Sequence, residues 1–378
     1  MRRNSIFVWI LIGVLSLSMV PATMAKEEVI GRIAELSGQV AIKKESQAYW
    51  TDALLDMDVY FGDNIRTGDD GRSLIRLVDD SIIQVQPNSH IVLNTILSPV
   101  EKKNSVLLFF GRIWNKISRK ALRRKVFEVQ TPTAVCGVRG TDFETASYDD
   151  GTMIVKVNTG SVAVDNDVSQ KTLAANEGTK VGFEQKEIVT ESDYQPDWEK
   201  NQVESRENLL SDGEKYGGYV HDEIYKRRDF MKQLVDRASD LLAKKERLKA
   251  DAAEAQAKGD LTTVESLTTE IEKISEEQKN VNKQIAYYGR RLECHFGLFS
   301  HYGDIAKDPK LSTRFQGKDF ILNQLDNIEM IRAEFNAMIE EGMKLSMEDM
   351  DDMMDEMRDK MRMFKEQKGK KGIFSEME

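Results

Sequence analysis

Residues Gly62–Leu93 read GDNIRTGDDGRSLIRLVDDSIIQVQPNSHIVL, and in them apolar or β-branched residues recur at every second position: Ile65/Thr67, Ile75/Leu77, Ile83/Val85 and Ile91/Leu93. That is the period of a pleated strand with one buried face. The runs are short, and Gly62-Asp63, Gly68-Asp69-Asp70-Gly71, Asp79-Asp80 and Pro87-Asn88 separate them with residues that accept tight or left-handed turns. Outward from this stretch the alternation continues in Val40/Ile42, Phe127/Val129, Val155/Val157 and Val162/Val164, with turns at Asp149-Asp150-Gly151 and Asn158-Thr159-Gly160. An all-β N-terminal domain over residues 29–189, of sandwich, roll or solenoid-like type, is the expected result. Within it, Val106 to Val126 reads as partly helical.

A polar stretch over 190–218, with Pro196, Gly213, Gly217 and Gly218, reads as a linker, and after it the period changes. Met231, Leu234, Ala238, Leu241, Lys245, Leu248, Ala252 and Ala255 step by alternating three and four. So do Val264, Leu267, Ile271, Ile274, Gln278, Val281 and Ile285. The break at Lys258-Gly259-Asp260 is short, with Thr262 or Thr263 as the expected cap of the second helix and Glu265 close enough to assist. Residues 219–292 are therefore expected to form an antiparallel coiled-coil hairpin with arms of about 25 to 30 residues, on the order of 40 Å long. Lys245 and Gln278 weaken such a seam and set its register. Further helices are expected over 293–365. One, from about Lys318 to Glu341, presents Ile321, Leu325, Ile328, Phe335 and Met338; another is opened by the capping box Ser346-Met347-Glu348-Asp349 and runs to about Phe364. A polar tail, 366–378, follows. The fold class read from the chain is thus multidomain: all-β, then all-α.

The 378 residues begin with a signal-peptide layout over residues 1–25: Arg2 and Arg3, an almost uncharged run from Ile6 to Val20, and small Thr23 and Ala25 before the expected cleavage point. A helix over that run reaches roughly 22 Å, short of a hydrocarbon core of roughly 30 Å, so cleavage is favoured over a retained anchor. The mature product is expected to be periplasmic or otherwise exported, touching membrane only through this segment if uncleaved. A formal net charge of −10 argues against a nucleic-acid partner. The one dense basic stretch runs from Arg112 to Lys125.

Three segments together carry a family resemblance: Gly31–Val40 (GRIAELSGQV), Gly62–Thr67 (GDNIRT) and Phe127–Phe143 (FEVQTPTAVCGVRGTDF), followed by Gly160-Ser161-Val162. In order and spacing they resemble the FecR domain, over roughly Ile30 to Val181. The motif residues are Gly62, Asp63, Thr67, Thr131, Pro132, Gly137, Val138, Arg139, Gly140, Thr141 and Phe143, and their first reading is structural. Thr131-Pro132 forces an extended entry, while Gly137 and Gly140 permit turns or close strand approach. Arg139 has two readings: a buried or half-buried tie to carbonyls or to Asp142, or recognition of an anion. Two departures stand out, Asp80-Ser81 lacking the family's glycine and Cys136 where a small residue is usual. The resemblance implies a place on the periplasmic side of the envelope and a role in signal transfer or protein contact. Its best-known members relay the loaded state of an outer-membrane receptor to a sigma factor. Here only about five residues precede the apolar segment, too few for a sigma-binding module.

No Ser, His and Asp set and no Cys and His dyad has a context that supports nucleophilic catalysis, so an enzyme is not expected, nor any cofactor. Cys294-His295 with His301 is an incomplete zinc set. Cys136 and Cys294 lie far apart in sequence, and their pairing stays open. Met347, Met350, Met353, Met354, Met357, Met361 and Met363 have two readings: an adaptable apolar helix face for packing or a partner, or soft ligands for copper. The functional expectation is a non-enzymatic exported envelope protein. Its FecR-like domain serves recognition, signalling-related or scaffolding contacts, and its helices bind protein partners or a second copy. The alternative is a soluble periplasmic copper-handling protein that uses the Met-rich helix.

Overall fold

The computed structural model describes residues 28–95, 104–118 and 127–342. The leader, the second half of the basic stretch, the Met-rich run and the tail lie outside these residues.

Two sheets share one long strand, β9 (Asn104–Lys116). The first sheet runs β4 (Asp58–Tyr60), β1 (Val29–Ser37), β6 (Arg72–Leu77), β7 (Ile82–Val85), β9, β12 (Asp142–Ser147), β13 (Met153–Thr159) and β16 (Gly178–Val181). The second runs β3 (Thr51–Asp52), β2 (Val40–Lys43), β5 (Asn64–Thr67), β8 (His90–Thr95), β9, β10 (Phe127–Gln130), β11 (Val135–Val138), β14 (Ser161–Asp165) and β15 (Gln170–Ala174). All pairings are antiparallel except β9 with β10. The crossover falls at Gly111: residues before it pair with β8 and β10, residues from it onward with β7 and β12. Its φ of +100 suits glycine, and a Cβ there would overlap the Ser89 hydroxyl. Between the sheets, Ile33, Ile75, Ile83 and Phe143 of one meet Ile42, Ile65, Ile91 and Val129 of the other in a single core.

The alternation in Gly62–Leu93 therefore formed strands as expected, whereas the helical reading of Val106 to Val126 is corrected: its described first half is strand β9. Ser105 to Phe109 are all buried because this part of β9 is covered on both faces. Val106 and Leu108 point into the sandwich and Leu107 and Phe109 point out of it, under a helix. Two-sided burial erases the polar positions that would have marked a strand.

Helix α1 (Trp198–Ser211) and helix α2 (Gly213–Ala257) occupy most of the stretch read as a linker, correcting the 190–218 assignment. Asp197 caps α1 by accepting from the Lys200 backbone N–H, and Asp212 both ends α1 and caps α2. Gly213 and Gly217 are packing positions, where added Cβ atoms would overlap Phe315 and Ile321. Helix α3 (Leu261–Lys307) is capped by Asp260, not by Thr262 or Thr263; the Thr263 backbone N–H donates to its carboxylate at 3.1 Å. Nor does α3 stop at 292, because the sequence from Gly289 to Ala306 is buried almost all round and offers no polar break. At 45 and 47 residues, α2 and α3 are each roughly 70 Å long. They pack antiparallel: Arg237 pairs with Glu277, and Lys244 with Glu270 at 2.8 Å, so advance along one arm is retreat along the other. Both ion pairs are exposed and worth at most about 1 kcal/mol each; the apolar seam, Met231, Leu234, Ala238 and Leu241 against Ile274, Val281 and Ile285, holds the arms. A fourth helix, α4, is described over 318–342.

The base of α3 lies on the second sheet. Gly297 meets Phe109 so closely that an added Cβ would overlap its ring, and Cys294 packs with Val92, Leu107 and Phe109. Gly297→Ala is expected to cost roughly 1–3 kcal/mol, measured by thermal unfolding. An unchanged Tm would show that the Phe109 ring turns aside freely.

Candidate functional site at the junction of sheet and helices

The motif residues hold the β domain together. Asp63 accepts from the Tyr60 backbone N–H at 2.9 Å and from Lys44 Nζ at 2.7 Å, beside the turn made by Gly62. Thr67 donates to the Gln86 carbonyl at 2.7 Å, Thr131 to the Ala134 carbonyl at 2.9 Å and Thr141 to the Ser161 carbonyl at 2.9 Å. Gly137 pairs with Glu128 and Ala163, Val138 and Phe143 are core residues, and Gly140 has a φ of +65. Arg139 is exposed, which corrects the reading of it as a buried tie. Asp142, its expected partner, accepts instead from Trp114 Nε1 at 2.7 Å and Asn158 Nδ2 at 2.8 Å. Pro132 lines the cleft described below.

What the sequence did not reveal is a set of charged residues, all buried except the partly exposed Asp167 and Arg206, where the helices meet the second sheet and the β12–β13 turn. Asp167, at a φ of +68 just after β14, receives Arg227 Nη2 at 2.7 Å, Arg291 Nη2 at 3.1 Å and the Tyr287 hydroxyl at 2.8 Å. Burial works against its ionisation, but Arg291 and Arg227 outweigh it and bring the carboxyl down to about 2. Arg291 also donates to the Thr133 carbonyl at 3.2 Å, and Arg290 pairs with buried Glu128 at 3.3 Å. On the far side, Asp149 accepts from His301 Nε2 at 2.8 Å and from Arg206 Nε. Its carboxyl too is held at about 2, burial being outweighed by His301 and then Arg206. The His301 ring stacks on Phe110 at 3.6 Å. Next to it, Asp150 accepts from Ser205 Oγ at 2.6 Å and Asn208 Nδ2 at 2.9 Å. Three turns of the β domain are thus tied to α1, α2 and α3.

A cleft of about 440 Å³ opens beside Asp167, with Arg227, Arg291 and His295 at its inner end. His295 donates through Nδ1 to the Arg291 carbonyl at 2.6 Å, and burial, with Arg227 and Arg291 nearby, pushes its pKa well below the usual value, so the ring is neutral. Glu184, Asp222 and Lys226 line the same cleft, so neither sign of charge dominates it. Among the described residues no group of three or more His, Cys, Asp or Glu side chains is placed to hold a metal ion. Cys294 and His295 are taken up by packing and by the Arg291 carbonyl, and His301 by Asp149. Cys136 and Cys294 are both free and buried, Cys136 in the sandwich core and Cys294 under α3, and burial pushes both thiols up. A second feature faces solvent. Tyr49, Leu54 and Leu55, on either side of β3, are exposed, next to Trp50, whose ring lies under Arg66 at 4.7 Å.

Residues 63–163 match the family model described as FecR protein. Two crystal structures of a protein from Parabacteroides distasonis ATCC 8503, provisionally assigned as an anti-sigma factor, are 25% identical to the chain; the match covers 34% of this chain and 59% of theirs, with TM-scores of 0.31 and 0.30. A cell surface anchoring domain is also 25% identical, over 17% of this chain and 84% of that one, with a TM-score of 0.17. Curated proteins give no match.

Proposed function

With a FecR segment at residues 63–163 as the premise, we propose that the chain is an exported, non-enzymatic protein of the cell envelope, using its β domain for signalling-related or scaffolding recognition and its helical arm for protein association. The observation that supports this most is the junction. Asp149, Asp150, Asp167 and Glu128 hold the base of the helices against the sheet, so the hairpin is carried as a fixed lever and a contact at the β domain is geometrically tied to one on the arm. Export rests on the pattern of residues 1–25. Among the described residues no helix is long and apolar enough to cross a membrane. The exposed Tyr49, Leu54 and Leu55 are the surface of the β domain suited to an apolar partner contact. Cell fractionation combined with a photo-crosslinking side chain at Leu54 tests the reading. The expected result is a chain outside the cytoplasm, crosslinked to an envelope protein, with the adduct lost in Tyr49→Ser/Leu55→Ser. Retention in the cytosol, or an adduct indifferent to those substitutions, would remove it.

A further inference from the structure

The arginines beside Asp167 use only part of their hydrogen-bonding capacity. Arg227 meets Asp167 and Glu223 through Nη2, and Arg291 meets Asp167 and the Thr133 carbonyl through its own Nη2. Among the described residues, Arg227 Nε and Arg291 Nε and Nη1 are buried N–H groups with no acceptor. One turn beyond Arg291 on α3, His295 is 0% exposed; its Nδ1 gives the ring proton to the Arg291 carbonyl, so Nε2 presents a lone pair, which also lacks a partner among the described residues. Buried polar atoms in folded proteins are nearly all paired, so four unpaired nitrogens on three neighbouring side chains call for an explanation. All three residues line the cleft of about 440 Å³, a size in the range of small-molecule sites. Pro132, Val168 and the rings of Phe183 and Tyr219 give it apolar wall. The four nitrogens have no surface open to solvent, and the half-buried Phe183 ring lies 6.5 Å from the His295 ring. Phe183 stands just past the end of β16, and its neighbour Gly182 has open space around it, which leaves this part of the wall free to yield.

We propose that this cleft binds a small carboxylic acid that carries a hydroxyl or amino group on the carbon next to the carboxylate and an apolar side chain. The carboxylate accepts from the unused N–H groups of Arg227 and Arg291, as guanidinium groups favour. The neighbouring O–H or N–H donates to His295 Nε2, and the side chain rests against Val168, Phe183 and Tyr219. The inventory of unused atoms selects this pairing. A plain carboxylate would leave the His295 lone pair without a donor, and an alcohol or amine alone would leave the guanidinium groups without an acceptor. The Phe183 ring turns aside to admit the head group and then covers it. Such a site goes beyond the protein contacts proposed above, and it places a small ligand on the residues that join sheet to helices.

Isothermal titration of the full chain with L-phenylalanine and with L-phenyllactate tests this. Phenethylamine, which lacks the carboxylate, and 3-phenylpropionate, which lacks the second group, serve as controls. At least one of the first two should bind saturably with one site per chain, and both controls at least tenfold more weakly, because each leaves buried polar atoms unpaired. Val168 is 69% exposed on the cleft wall, so Val168→Glu leaves the folded junction intact while setting a carboxylate in the path of the ligand; binding should weaken at least tenfold. No saturable heat with either probe, controls that bind as well as the probes, or an affinity indifferent to Val168→Glu would each overturn the proposal.

Discussion

Asp167→Asn should destabilise the folded chain by roughly 2–3 kcal/mol, less than the roughly 3–5 kcal/mol for a fully buried pair because the Asp167 side chain is itself 24% exposed. The carboxylate stands between Arg227 and Arg291, which are buried, and accepts from both through one oxygen while Tyr287 takes the other. Asparagine keeps the size of the side chain and tolerates the left-handed backbone at this position, so the substitution isolates the charge. Arg291 would then lose its carboxylate, Arg227 would keep only Glu223 at 3.0 Å, and the turn after β14 would lose its ionic tie to α2 and α3. Urea unfolding of the two proteins at neutral pH measures the difference. If adding Arg227→Met to the Asp167→Asn variant recovers part of the loss, the cause is charge and not shape; a loss under about 1 kcal/mol would show that solvent already shields the site.

Acid should loosen the same junction. The carboxyls of Asp149 and Asp167 sit at about 2 in the folded chain, below the ordinary 3.8. A carboxyl depressed by folding contributes stability that is fully present above its unfolded value and disappears as pH falls through its folded one. Stability should therefore be level with respect to these groups from pH 7 to about 5, then decline from about 4 to about 2 by on the order of 2 kcal/mol for each aspartate. Asp149→Asn should flatten part of that slope and lower stability at neutral pH. The urea midpoint measured at intervals from pH 6 to 2.5 checks both statements, and a midpoint that does not move between pH 5 and 2.5 would contradict them.

Much of the architecture was legible because its periodicities are one-sided. Ile65, Ile75, Ile83 and Ile91 alternate with polar residues and face the sandwich core, and Met231, Leu234, Ala238 and Leu241 of α2 pack in the helical core. Legibility failed where an element is buried on more than one side. β9 is covered by the opposite sheet and by α3, so Val106 to Phe110 form an unbroken apolar run, and the base of α3 is buried nearly all round. In hindsight that run, together with Gly297 in the middle of a helix, was the available signal for a docked interface. The junction itself gave none: Arg227, Arg290, Arg291 and Asp167 belong to no motif or periodic pattern, and Asp149-Asp150-Gly151 read only as a turn. That turn reading is locally right. Which arginine or histidine reaches it depends on elements between 57 and 152 residues apart, as with Arg206 and His301 on Asp149, and no local pattern encodes that. The motif residues mislead in the opposite sense, because they specify the β scaffold and leave the contacts to residues outside the motif.

The proposed lever requires sheet and helices to be one docked body. Trp50, Trp114 and Trp198 report on the β domain and the first turn of α1, while the far-ultraviolet signal at 222 nm is dominated by α2, α3 and α4. Urea unfolding followed by both signals on one sample should give superimposable transitions with a common midpoint. A helical transition separated from the tryptophan transition would contradict a rigid junction, and with it the lever that the proposed function requires.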